Sequence, residues 1–268
     1  MATRTRPRAI TRMHERPTHY GIIVYSDPGA GKTRLAGTSP NALILNADGS
    51  DAVESARISG STAHVWDIDV YKDLDDAYDY IRRADHPYEW VWLDSVSLFQ
   101  EKGMDDIMAE LVKHKPNRDQ YVPDRLEYVQ NMNHLSKWIR HMKALPINFG
   151  ITAHVMRIED EDDGTVTYMP QIQGRNMPSK VCGYMSIVGH LYVAKKKGGD
   201  EQVRVLQVRK DAKWYAKDRF DVLGERVINP TIPDITAKIN ATRTRTRKTT
   251  SAPRHAVKRK RTATRRSA

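Results

Sequence analysis

The sequence predicts an α/β fold: a mainly parallel sheet flanked by helices and extended by antiparallel hairpins. Three observations predict it. Strand-like and helix-like segments alternate from about residue 20 to residue 154. The clearest strand of that stretch is short and apolar on both faces, as a strand buried between two helix layers must be. From about Val155 the pattern changes to paired strands around polar turns.

Tyr20–Tyr25 (YGIIVY) reads as the first strand, followed by a Gly/Pro turn and a short helix from about Lys32. Ala42–Asn46 (ALILN) is a second buried strand and His64–Ile68 a third. Lys72–Ala84 carries Leu74, Ala77, Tyr78 and Ile81 at helical spacing. Trp90–Leu93 (WVWL) is the strand apolar on both faces, and helices follow near Ser97–Lys113 and Asp124–Lys143. Ile147–Ala153 (INFGITA) is the next central strand. Val155–Ile158 and Val166–Met169 flank an acidic turn, and Ile187–Ala194 and Gln202–Val208 flank Lys-Lys-Lys-Gly-Gly-Asp. Both pairs read as antiparallel hairpins.

Charge divides the chain into three parts. The net charge is +11, yet residues 241–268 hold 11 Lys/Arg and no acid, and residues 1–19 hold five Arg and one Glu. Residues 20–240, the expected globular domain, carry 28 basic and 32 acidic side chains. A slightly acidic body between two basic, flexible arms points to a polyanion as partner. The tail has one Val as its only large aliphatic residue and is expected to be disordered when free. One cysteine, Cys182, excludes a disulfide framework and suits a reducing cytosol. No run of about 18 apolar residues exists, so no membrane is expected as partner. Residues 1–19 lack the apolar block of a secretory signal, and Pro7 and Pro17 suit a helical presequence poorly. The expected compartment is the cytoplasm, although Lys258-Arg-Lys-Arg261 also reads as a nuclear address.

The strongest motif is Ser26-Asp27-Pro28-Gly29-Ala30-Gly31-Lys32-Thr33, a P-loop between strand and helix. Glycines at 29 and 31 let backbone N–H groups approach phosphate, Lys32 reaches the β/γ-phosphates, and the Thr33 hydroxyl ligates Mg²⁺. Ser26 stands where the pattern starts with Gly. The implied ligands are ATP and Mg²⁺. Asp94, ending WVWLD, follows Thr33 by 61 residues and suits the second Mg²⁺ position. Asp48, ending Leu43–Asp48, is the candidate to orient attacking water; an ordinary Asp-Gly turn is its other reading. His154, closing Thr152-Ala-His154, is either a γ-phosphate sensor or a structural strand end.

The order P-loop, strand–Asp48, strand–Asp94–Ser95, strand–His154 resembles the ATPase core of RecA-like recombinases. It looks closest to small phage-encoded AAA-type proteins proposed to anneal or exchange single strands. Lys180–Gly189, Ala216–Leu223 (AKDRFDVL) and the Asn229-Pro segment carry the same likeness, which spans about Tyr20 to Ile235. The resemblance implies a RecA-like P-loop NTPase core, with Asp48 where the family more usually has Glu. It also implies a ring or filament of identical subunits, with Arg209 and Lys210 as cations reaching a neighbour's γ-phosphate, and a bacterial host cytoplasm. A single-strand-binding protein is a possible companion. Single-stranded DNA is the implied partner. The candidate contacts are Arg175 and Lys180, Lys113, Lys115 and Arg118 beside Tyr121, and the tail cations Lys258, Arg259, Lys260 and Arg261. Cations interleaved with a stacking ring suit single strands, while an ordinary surface loop is the other reading of 113–121. The leading expectation is a DNA-dependent ATPase of recombination. The alternatives are a nucleotide-gated annealing module with little turnover, or a helicase loader or motor.

Overall fold

Strand residues alternate between two cores, one on each face of the sheet. The computed structural model describes residues 18–83, 85–160, 163–196 and 199–250. In β1 (Gly21–Tyr25), Ile22 and Val24 join one core while Ile23 and Tyr25 join the other. β2 (Ala42–Asn46) and β4 (Trp90–Asp94) repeat the split, Ile44, Trp90 and Trp92 on the first side and Leu43, Leu45, Val91 and Leu93 on the second. Every residue of these three strands is buried. That double-sided burial is why they read as continuous apolar runs.

The sheet has the order β11-β9-β8-β1-β5-β4-β2-β3, with β10 also pairing β8. β3 (His64–Asp67), β2, β4, β5 (Asn148–Ala153), β1 and β8 (Ile187–Lys195) run parallel. β9 (Gln202–Gln207) returns antiparallel along β8, β11 (Arg226–Ile228) along β9, and the short β10 (Lys217–Asp218) along β8. The other hairpin, β6 (Val155–Glu159) with β7 (Val166–Pro170), forms a separate two-stranded sheet. The fold is the expected mixed α/β architecture with antiparallel additions.

The face of Ile22 and Trp92 is covered by α1 (Lys32–Ala36) and α7 (Ile232–Thr250), through Leu35, Ile232, Ile235 and Ile239. The opposite face is covered by α3 (Tyr71–Arg83), α4 (Val96–His114), α5 (Arg125–Ala144) and α6 (Met177–Tyr184). α2 (Glu54–Ile58) lies beside α1. Two indoles illustrate how polar atoms are handled within these layers: Trp92 donates to Ser39 Oγ at 2.8 Å and Trp138 to the Leu74 carbonyl at 2.7 Å.

Five elements are not legible in the sequence. α2 is five largely polar residues, β10 and β11 are two and three residues long, and α6 has Pro178 as its second residue. α7 crosses the boundary expected at residue 240, and its backbone is helical to Thr250. Its apolar stripe, Ile232, Ile235 and Ile239, ends before that boundary. The rest of the basic tail, with Lys258, Arg259, Lys260 and Arg261, and residues 1–17 of the basic arm lie outside the described residues. No helix among the described residues is long and apolar enough to cross a membrane.

Candidate nucleotide-binding site

Parallel strands place their carboxyl ends on one edge, and β1, β2, β4 and β5 bring Ser26, Asp48, Asp94 and His154 there together. Ser26 is fully buried and its N–H donates to the Ala153 carbonyl at 3.2 Å, stitching the start of the loop to the end of β5. Gly29 and Gly31 have φ of 79° and 103°, conformations that side chains rarely adopt. Gly31 caps α1 without a side chain, so nothing of its own occupies the helix entrance. Lys32 folds back over the loop: its Nζ donates to Ser26 O, Ser26 Oγ and Asp27 O, each at 3.3 Å. Burial holds its ammonium below the usual lysine range, against the pull of Asp94, Asp48 and Asp27. Ser26 thus departs from the usual glycine yet supplies two of the acceptors that park Lys32.

Asp94 is wholly buried. Its Oδ1 accepts from the Thr152 hydroxyl, and the Thr33 side chain is near enough to help lower the carboxyl's pKa. Oδ2 has no hydrogen-bond partner. Burial raises this carboxyl above its ordinary range, more than Thr152, Thr33 and Lys32 lower it. An orphaned, desolvated oxygen beside a P-loop hydroxyl fits a divalent cation, which would satisfy it and favour its charged form. Among the described residues no cluster of three or more His, Cys, Asp or Glu side chains stands ready to hold a metal.

Asp48 is tied by one oxygen, Oδ1 accepting from Ser95 N and Ser95 Oγ at 2.9 Å each. The His154 N–H donates to Ser97 Oγ at 2.9 Å, and Ser97 Oγ donates to the Gln171 carbonyl at 2.8 Å. His154 therefore joins the site to the segment that follows β7. Lys32, Thr33, Asp48, His154 and Arg204 line one open cleft of about 770 Å³, together with Pro28, Gly29, Gly31, Arg34 and residues of α2.

The other predicted residues lie apart from this cleft. β9 ends at Gln207 and runs antiparallel, so Arg209 and Lys210 head away from the P-loop edge; Arg209 contacts Asp221 at 3.2 Å and Glu225 at 3.8 Å. Lys113 pairs with Glu110, and Lys115 caps α4. Arg118 binds Asp124 at 2.5 Å and Glu127 at 3.5 Å, the two residues of the capping box that starts α5. Its charge is thereby committed to holding the loop. Tyr121 is 83% exposed, and Arg175 and Lys180 are exposed at and beyond the segment after β7. His134 stacks on Tyr71 at 3.8 Å and lies 3.4 Å from Asp75, a packing role.

Three contributors carry no motif of their own in the sequence. Thr152 and Ser95 are small hydroxyls whose only signal is adjacency to His154 and Asp94. Arg204 is a cation in mid-strand, 174 residues from its partner Ala30, with no local signal at all.

A buried P-loop lysine, a P-loop hydroxyl beside a strand-end carboxylate, and a second strand-end carboxylate are the residues that a P-loop nucleotide-binding fold brings together. A family model described as an AAA domain matches residues 18–220, and the chain belongs to that family. This gives it a nucleotide-binding ATPase fold. Similar solved structures include the KaiC-like protein PH0186 from Pyrococcus horikoshii, at 12% identity and a TM-score of 0.40, covering 79% of this chain and 89% of that one. The flagellar accessory protein FlaH from Methanocaldococcus jannaschii is similar at 10% identity and the same TM-score, covering 79% and 85%. No curated protein matches in sequence.

Proposed function

We propose that this chain is a Mg²⁺-dependent ATPase that binds single-stranded DNA and promotes annealing or strand exchange, working as a homo-oligomer. The observation that carries the ATPase part is the partnerless Oδ2 of Asp94 beside Thr33 and Lys32. Thr33 and Asp94 would hold Mg²⁺, which when bound neutralises charge on the phosphate oxygens. Lys32 exchanges its loop carbonyls for phosphate oxygens. Asp48, with Oδ2 not used by Ser95, orients water at the triphosphate end. The DNA part is supported by the charge plan, two basic arms on an acidic body, and by the exposed Tyr121, Arg175 and Lys180.

ATP turnover of the pure protein without DNA, with single strands and with duplex tests both parts. We expect strong stimulation by single strands, and complete loss of nucleotide binding in Lys32→Ala. Undiminished ATP affinity in that variant would sink the nucleotide site. Equal stimulation by duplex, with translocation, would favour a motor or helicase loader. A nucleotide-gated annealer with little turnover is a second reading, favoured by the tether of Asp48 to Ser95; annealing that needs ATP but proceeds with a non-hydrolysable analogue would establish it.

A further inference from the structure

Arg204 is a cation built onto the phosphate loop from the far side of the sheet. In β9, Leu206 enters the same core as Leu35 of α1, and two residues earlier the same face carries Arg204 past the carboxyl edge. Register places it there: Gln207 lies opposite His190, which is level with Tyr25 at the end of β1, and Arg204 lies opposite Val193, three residues further out. Its backbone is fixed on both sides by Asn229, whose Oδ1 accepts from Arg204 N at 3.0 Å and whose N–H donates to Arg204 O at 2.7 Å. The side chain then reaches the loop. Nε donates to the Ala30 carbonyl at 3.2 Å, and a Cβ on Gly31 would lie 2.6 Å from that same nitrogen. No carboxylate pairs with Arg204 among the described residues, although the guanidinium lines the cleft.

Strand order says which part of a ligand this cation meets. β1 stands between β8 and β9 on one side and β5, β4 and β2 on the other. Asp94, Asp48 and His154 come from the second side, where the triphosphate end and its water belong. Arg204 comes from the first. We infer that Arg204 is a nucleotide-binding residue supplied in cis, its terminal guanidinium nitrogens clasping the diphosphate common to ATP and ADP. This deepens the nucleotide-binding reading above and rests on it. Arginine suits the task because its planar fork can engage phosphate oxygens in pairs.

The test is titration calorimetry of the full chain with Mg²⁺-ADP and with a non-hydrolysable ATP analogue, comparing the parent, Arg204→Ala and Arg204→Gln. Glutamine keeps an amide donor for the Ala30 carbonyl, so it carries the measurement if the alanine variant melts early without nucleotide. We expect both ligands to weaken by the same factor, on the order of ten- to a hundred-fold, the worth of a charged hydrogen bond. Unchanged affinity for both would overturn the inference. So would a loss confined to the triphosphate, which would place Arg204 at the γ end. A parent chain that binds neither ligand would overturn the nucleotide reading itself, and this inference with it.

Discussion

Asp94 places a buried carboxylate in conflict with folding and in the service of binding. Its carboxyl is raised by burial, so the folded chain holds a proton more readily than the unfolded one. Stability from this group is present at acid pH and is lost as pH rises through the raised value. Asp94→Asn is therefore expected to raise the melting temperature of the nucleotide-free chain by about 2–4 °C at pH 8, the equivalent of ~1 kcal/mol, and by less at pH 5. The same variant should lose Mg²⁺-dependent turnover. Lower stability at pH 8 would mean that Thr152 and Thr33 already repay the buried charge.

His190 runs the other way. It is buried, its ring stacks on Trp214 at 3.6 Å, and its Nδ1 lacks a hydrogen-bond partner. Burial lowers its pKa to about 4, more than Asp27 and Asp211 raise it. The imidazole is folded in neutral form, so the stability it contributes is intact above about pH 6.5 and is lost as pH falls toward 4. His190→Phe should flatten the fall in melting temperature across that window. An unchanged slope would show that carboxylates alone govern acid unfolding.

At the scale of the element, the central strands depend on a close approach. Gly150 in β5 lies under Trp92 of β4, and a Cβ there would fall 2.2 Å from the indole ring. β5 is hydrogen-bonded to β1 and β4, so its backbone has little freedom to retreat. Gly150→Ala should cost about 1–3 kcal/mol by overpacking. Urea unfolding of the single variants and of Gly150→Ala with Trp92→Leu checks this, because a shared contact makes the two effects non-additive. Strictly additive effects would remove the contact from the account. Strand positions are legible because double-sided burial leaves an apolar run that needs no partner to be read. The short strands β10 and β11 are not, since their hydrogen-bond partners lie in β8 and β9, and α2, though its hydrogen bonds are local, is too short and polar to show a period. α7 shows a mixed case: Ile232, Ile235 and Ile239 have helical spacing, but the threonine- and arginine-rich continuation masks it.

Over the whole molecule, charge segregation and sheet order divide the labour. The strands that carry Asp48, Asp94 and His154 lie on one side of β1 and the antiparallel extension on the other. DNA affinity is expected to reside largely outside the acidic body. Removal of residues 251–268 takes away seven Lys/Arg and leaves α7 whole to Thr250. The logarithmic salt dependence of single-strand binding should then fall by roughly 0.7 for each phosphate that the shortened chain leaves unneutralised. ATP binding should be unaffected. An unchanged salt slope would assign the tail another purpose.

By itself the sequence determined where the strands of the parallel core and of the two hairpins lie along the chain, the phosphate loop with Lys32 and Thr33, and the carboxylates at the ends of β2 and β4. Each of these is a local pattern, because a loop motif and a buried strand are chemistry of adjacent residues. Tertiary structure alone decided what completes the site. Thr152 meets Asp94 because β5 lies beside β4, and Arg204 reaches Ala30 from a strand that runs the opposite way. The reason is register: which side chain arrives at an edge depends on how far each strand slides along its neighbour, and hydrogen bonds between remote segments set that distance.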